Sequence, residues 1–431
     1  MRRHHDTPAR FTGEYFTGEY FTGEYFTGEY ATTTSAAAPD GRAAGAAWPL
    51  LLVAMLDTTG LMVAVLRIPP LVRAAGGGAV AIGALTAAFA LAQMASAMGW
   101  GRLSDRVGRR AALVAGLAFS AAGWLLLLWA RAMPELTTPT LAVVRVLMGI
   151  GSGTAGVVVA AILDGAPPSS RAALLGRLSA ATSFGAVVGP SVALALAETS
   201  MTPEHAMMVL TALAPVIAWR TLPRRARAAA PGRADARAVP RRGPSLLPLL
   251  VAVYAVAVGA ASGVPTMLPA IFDASRAAWA VMALGATGVL VRAALVGPLA
   301  ARLGELRMLG AGLTSIAAAL LLLCRPSGAA VPAAVGALAL GTALAFPALG
   351  ALVAGATPPS RLGAVMGAQQ AAGGAARAAF PLALGAALDG GRLSGLLTVC
   401  AAVLAVAAAG AFAGRSYVAR PAARWRGARA A

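Results

Sequence analysis

Residues 74–101, 111–130, 246–272, 326–360 and 393–414 carry no charged side chain at all. Each run reaches the length of about 20 apolar residues that a helix needs to cross the hydrocarbon core of a bilayer. Lipid offers backbone groups no hydrogen bonds, so segments of this length must satisfy themselves as helices. Only 12% of the 431 residues are charged, against about 25% in an ordinary soluble domain. The chain is expected to be a polytopic membrane protein and not a soluble enzyme.

From Trp48 onward twelve apolar segments follow one another. They run over 47–70, 79–101, 111–131, 139–163, 172–197 and 205–221, then 246–270, 279–300, 307–324, 331–354, 363–387 and 393–414. The fold class expected is all-α, with twelve transmembrane helices in two parallel six-helix bundles. The expected divisions are a polar tail over 1–46, a first bundle over 47–221, a basic linker over 222–245, a second bundle over 246–414 and a tail over 415–431. Within the first tail FTGEY repeats four times from Phe11 to Tyr30. Low-complexity polar tracts of this kind cannot build a packed core, so disorder is expected there. The repeat is either a tethering tail, a slipped tandem repeat or a misassigned start.

The 35 basic residues are all Arg and outnumber 16 acidic ones, for a formal charge of +19. Such a surplus can signal nucleic-acid binding. Here the arginines sit in the loops between apolar segments, and a nucleic-acid partner is not expected. With both ends of the chain placed in the cytoplasm, the cytoplasmic segments hold 26 Arg and the outer loops five, namely Arg73, Arg131, Arg276, Arg325 and Arg392. The positive-inside rule therefore puts both termini on the cytoplasmic side of the plasma membrane. The two cysteines, Cys324 and Cys400, and the three histidines show no metal-ligand spacing, and no phosphate-cradling loop of the ATPase type occurs. No metal, cofactor or catalytic triad is expected.

The halves resemble one another. Arg171, Gly176 and Pro190 correspond to Arg361, Gly367 and Pro381, and the loop GRLSDRVGRR from Gly101 corresponds to GPLAARLGEL from Gly297. Two parallel halves joined by a linker are an architecture of secondary transporters. The first of these loops, with Gly101, Asp105, Arg106, Gly108 and Arg109, resembles the signature loop of the major facilitator superfamily. The run RVLMGIGSG from Arg145 resembles that family's fourth-helix motif. Gly176, Gly185, Gly189 and Pro190 resemble its antiporter motif, although Ala193 and Leu194 stand where a glycine pair is usual. Together with LDTTG around Asp57, IPPL from Ile68, Gln93 and AFPALG around Pro347, these features resemble the tetracycline-efflux branch of twelve-span drug:proton antiporters over residues 47–414.

That resemblance implies proton-coupled efflux of a small lipophilic drug or secondary metabolite by alternating access. The expected partners are the bilayer, protons and the substrate, the energy source is the proton gradient, and the working unit is a monomer. Uptake of a nutrient on the same fold, and a membrane sensor or scaffold that moves nothing, are the alternatives.

Asp57 is the one carboxylate well inside a span, about 15 Å deep at 1.5 Å per residue. A charge so placed is costly and marks a functional site by default. It is expected to couple protons with Arg145 as partner, or else to sit in a fixed ion pair with it. The resemblance implies that Asp105 helps hold the cytoplasmic ends of the halves together; facing the start of span eleven it would meet the partial positive charge of a helix N-terminus. Asp164 and Arg171 extend that charge network. Thr58, Thr59, Gln93, Tyr254, Gln369 and Gln370 are mid-span polar residues expected to line the substrate cavity, with Ser262 a further candidate. Arg292 and Arg377 are read as packing residues or as attractors of an anion.

Overall fold

In the computed structural model of the protein the described residues are 41–164, 166, 168–196, 199, 201–222, 247–326, 329–357 and 362–413. They form helices and no strands. The FTGEY tail, the linker from residue 223, the C-terminal tail and the side chain of Arg171 lie outside them.

Fourteen helices replace the twelve expected spans, for two local reasons. Span four is α4 (Thr138–Ser152) followed by α5 (Ala155–Asp164), and span eight is α9 (Ala274–Ala294) followed by the short α10 (Val296–Leu303). The others are α1 (Gly41–Ala74), α2 (Ala79–Val107), α3 (Arg109–Ala132), α6 (Pro168–Ala195), α7 (Pro203–Thr221), α8 (Leu247–Ile271), α11 (Glu305–Leu323), α12 (Ala330–Ala356), α13 (Leu362–Asp389) and α14 (Leu393–Ala413). α1 begins at Gly41, so helix reaches into the expected tail. Eleven spans among the described residues are long and apolar enough to cross a membrane. The expected sixth, α7, has 19 helical residues but carries Glu204, His205 and Arg220 near its ends, which dilutes its hydropathy.

Trp48, Trp129, Trp219 and Trp279 are all more than half exposed. They sit near helix ends on both faces of the bundle, as aromatic residues do at a membrane interface. Large exposed side chains such as Leu125, Leu290 and Val406 lie between those levels, as expected of a surface that faces lipid.

The reversals are tight. Gly108 alone separates α2 from α3, at φ +91°, and Gly304 alone separates α10 from α11, at φ +72°. Only glycine adopts this conformation without strain. The matching turns confirm in backbone geometry the likeness of the two halves. The face that carries them also carries the Arg-rich loops and is called here the basic face; the opposite one is the far face.

The halves meet unevenly. Among the described residues three hydrogen bonds cross between them, and all lie toward the far face. The Asp389 carboxylate accepts from the backbone N–H groups of Ala79, at 3.0 Å, and Val80, at 2.8 Å. The Ser191 hydroxyl reaches the Met282 sulfur at 3.5 Å. There α2 lies against α13 so closely that a Cβ at Gly83 would come 2.7 Å from the Leu382 Cα. Toward the basic face no hydrogen bond or ion pair joins the described residues of the two halves. Among the described residues the polar contacts between the halves are thus confined to the far face.

Candidate functional site

Between the halves lies a cavity of about 190 Å³. The first half lines it with Asp57 and Thr58 of α1, Thr86 and Gln93 of α2, Arg145 of α4 and Thr182 and Ser183 of α6. The second half contributes Ser262 and Thr266 of α8, Arg292 of α9, Thr342 of α12 and Arg377 of α13. Apolar side chains make up the rest of the wall, Leu61, Met62, Val65, Phe89 and Leu284 among them.

Asp57 is seated by a helix break. Residues three and four apart share a helix face, so Asp57, Leu61 and Val65 all look into the cavity from α1. Opposite them the Gly149–Gly153 run lets span four tighten. The Gly153 N–H reaches the Ile150 carbonyl at 3.3 Å and the Thr154 N–H reaches the Gly151 carbonyl at 3.2 Å, the i→i+3 pattern of a 3₁₀ turn. The Ile150 carbonyl also accepts from the Trp100 indole N–H at 2.7 Å and from the Ser96 hydroxyl at 3.3 Å. Ser152 sits at the end of α4 just before this break, and its hydroxyl donates to Asp57 Oδ1 at 2.7 Å. Asp57 thus has one protein donor and one side open to the cavity.

Arg145 is 3% exposed. Its Nε donates to the Leu85 carbonyl at 3.4 Å, and its guanidinium carbon lies 4.3 Å from the centre of the Phe89 ring. Its Nη1 is buried without a hydrogen-bond partner. The expected partnership with Asp57 holds in placement, since both line this cavity and the smaller recess beside Ser152. It does not hold as a fixed ion pair: no such contact within 4.0 Å joins them. The carboxylate is turned to Ser152 and the guanidinium to α2.

Of the expected cavity residues, Thr58 and Gln93 line it and Ser262 joins them. The Gln93 Nε2 is buried with no protein partner. Thr59, Tyr254, Gln369 and Gln370 do not line it. Thr59 faces α6, donating to the Met55 carbonyl at 2.8 Å and the Gly185 carbonyl at 3.4 Å. Tyr254 is 3% exposed and packs edge-on against Phe346, ring centres 5.9 Å apart. Gln369 is buried outside the cavity wall and Gln370 lies beside it in chain order, each with one buried polar atom lacking a partner.

The expected gating loop is shorter than its motif. α2 continues through Gly101, Asp105 and Arg106 to Val107, so only Gly108 turns. Arg109 is its organising residue. Its guanidinium bonds Asp105 at 2.8 Å, Asp164 at 2.9 Å and the Ser104 hydroxyl. Asp105 is largely exposed, as is Arg106. The expected contact of Asp105 with the start of span eleven is not seen among the described residues; its carboxylate pairs with Arg109 instead. Asp164 joins the network as expected.

On the antiporter-like helix, Gly185 and Gly189 admit α1. A Cβ at Gly189 would lie 2.7 Å from the Thr59 carbonyl oxygen. A Cβ at Gly176 would meet nothing within 4 Å, so that glycine packs against nothing here. Pro190 is inside α6.

Two functional-looking residues escaped the sequence reading. Asp389 was assigned to a loop, yet it caps the first amides of α2 across the interface. Glu204 lies just outside the expected span 205–221, yet it is fully buried and ion-paired with Arg67 at 2.7 Å and Arg131 at 2.9 Å. A carboxylate next to a span end is the only signal the sequence offers for either.

Residues 47–291 match the profile of a family described as the Major Facilitator Superfamily. The class D tetracycline resistance protein of Salmonella ordonez is 26% identical over 74% of this chain and 83% of its own length. The class G protein of Vibrio anguillarum is 30% identical over 62% of this chain and 70% of its own. Among solved structures, the human organic anion transporter MFSD10 (TETRAN) superposes with a TM-score of 0.62 at 21% identity, covering 86% of this chain and 99% of that one. The nucleoside transporter NupG superposes at 0.64 with 13% identity, covering 85% and 99%. Those two likenesses concern the fold alone.

Proposed function

We propose, on the premise that this chain belongs to the Major Facilitator Superfamily, that it exports a small lipophilic drug or secondary metabolite in exchange for protons. The family and the fold are those of membrane transporters and not of enzymes. The finer reading rests on one observation: among the described residues Asp57 is the only carboxylate lining the cavity between the halves. It is held by Ser152 and not neutralised by Arg145. A carboxylate with one open side can carry a proton or receive a substrate donor, and not both at once, which is the minimum that exchange requires.

In this proposal the far face opens to the outside of the plasma membrane, where Asp57 takes a proton, and the basic face opens to the cytoplasm, where it yields that proton to the arriving substrate. The halves rock about the cavity. No cofactor takes part, and the proton gradient is the energy source. The likeness to two tetracycline resistance proteins supports drug efflux.

The test uses proteoliposomes with an imposed pH gradient and a compound panel that includes tetracyclines. Wild type is expected to dissipate the gradient when a substrate is added. Asp57→Asn is expected to lose that proton movement while still exchanging labelled for unlabelled substrate. If Asp57→Asn moves protons as wild type does, the coupling assignment is wrong.

A further inference from the structure

Among the described residues four charged groups line the cavity, and their balance is uneven: the guanidinium groups of Arg145, Arg292 and Arg377 against the carboxylate of Asp57. A cation within the membrane is costly unless something answers it. Elsewhere this chain answers buried and half-buried arginines with carboxylates. Arg67 and Arg131 share Glu204, and Arg109 holds Asp105 and Asp164. Arg145 and Arg377 form no ion pair with any described residue, and the Arg145 Nη1 lacks any hydrogen-bond partner.

The positions are also divided. Asp57 and Arg145 belong to the first half, Arg292 and Arg377 to the second, and apolar residues such as Leu61, Val65 and Leu284 complete the wall. We propose that the cavity binds two-pole lipophilic anions, whose carboxylate, sulfonate or similar group meets Arg292 and Arg377 while an apolar body leads to a hydroxyl or amide donor at Asp57.

The chemistry fits each pole. A guanidinium is a planar fork that matches a carboxylate or sulfonate and keeps its charge at any working pH. A lipophilic cation without an anionic group would meet three like charges in a medium that screens poorly. The donor pole makes the anion compatible with exchange: protonating Asp57 removes its charge and weakens its hold on the ligand's hydroxyl, while the arginines are unaffected. This inference rests on the transporter reading for its direction of movement, but its binding selectivity can be measured without any flux.

Three probes on one naphthalene frame separate the poles: 6-hydroxynaphthalene-2-sulfonate, naphthalene-2-sulfonate and 6-hydroxynaphthalene-2-trimethylammonium. Binding to purified full-length protein is measured by equilibrium dialysis, with the thermal unfolding midpoint of each variant as a check on folding. The hydroxysulfonate is expected to bind about tenfold tighter than the ammonium probe, since one well-placed charge contact is worth about that factor. Arg292→Gln and Arg377→Gln should each lose most of that preference, and Arg377→Lys should regain part of it. Asp57→Asn should bring the hydroxysulfonate level with the plain sulfonate. Equal or tighter binding of the ammonium probe overturns the inference, as does sulfonate binding that ignores both arginine substitutions in folded protein. If the ammonium probe is the one exchanged for protons through Asp57, export stands and the anion class falls. If the sulfonate binds through the arginines but no probe moves protons, the class stands and the export reading falls.

Discussion

At the scale of single residues, the buried carboxylates divide the work. Asp57 has one hydroxyl partner and an open side, whereas Glu204 is enclosed between two arginines. Removing one member of such a buried cluster leaves uncompensated charge. Arg67 and Arg131 keep about a quarter of their side chains exposed, so water relieves part of the loss. Glu204→Gln is therefore expected to destabilise the protein by about 2 kcal/mol. A lowered unfolding midpoint in detergent with unchanged ligand affinity would show this, and an unchanged midpoint would refute it. Asp57 and Arg145 were legible in the sequence because charge inside an apolar run has few explanations. Their orientation was not, because it depends on a helix break and on which carbonyls that break turns toward α2. Tyr254, Gln369 and Gln370 teach the converse: position along a span gives depth, and depth alone does not say which way a side chain faces.

At the scale of elements, the contact between α13 and α2 decides which face is shut. A carboxylate at a helix N-terminus stabilises it by about 1 kcal/mol, enough to shift a two-state balance about fivefold. Asp389→Asn is expected to open the far face by that factor. The measurement is labelling of Thr86→Cys, a cavity residue of α2, by an impermeant maleimide added outside cells, in a background lacking Cys324 and Cys400. Labelling at the wild-type rate would mean that packing alone holds the face closed. The GRLSDRVGRR motif showed plainly that a turn exists, and its glycine at position 108 marked where. What it hid was that helix persists to Val107, because Gly101 is tolerated within α2 once its neighbours are packed.

At the scale of the molecule, the expected two-bundle architecture is present, and its one numerical discrepancy is α7. Apolar run length gave eleven spans directly, since hydrocarbon thickness leaves little freedom, whereas α7 owes its place to α3 and α1 and to the Glu204 cluster more than to its own hydropathy. Which face meets the cytoplasm is a property of the cell as well as of the chain. Fusing green fluorescent protein after residue 431 should give fluorescent cells, and alkaline phosphatase fused after Gly77 should be active. The opposite pair of results would reverse the orientation and, with it, the direction of transport proposed above.

The clasp at Asp389 joins a side chain to two backbone amides. Any residue at positions 79 and 80 other than proline supplies the same N–H groups. Mutation can therefore undo this contact from one side only, and no exchange of side chains across the interface can restore it. Second-site suppressors of a loss at position 389 should not map to the facing residues, as they would for a pair of side chains. They should fall where the two halves balance one another, at the basic face or along α6 and α9.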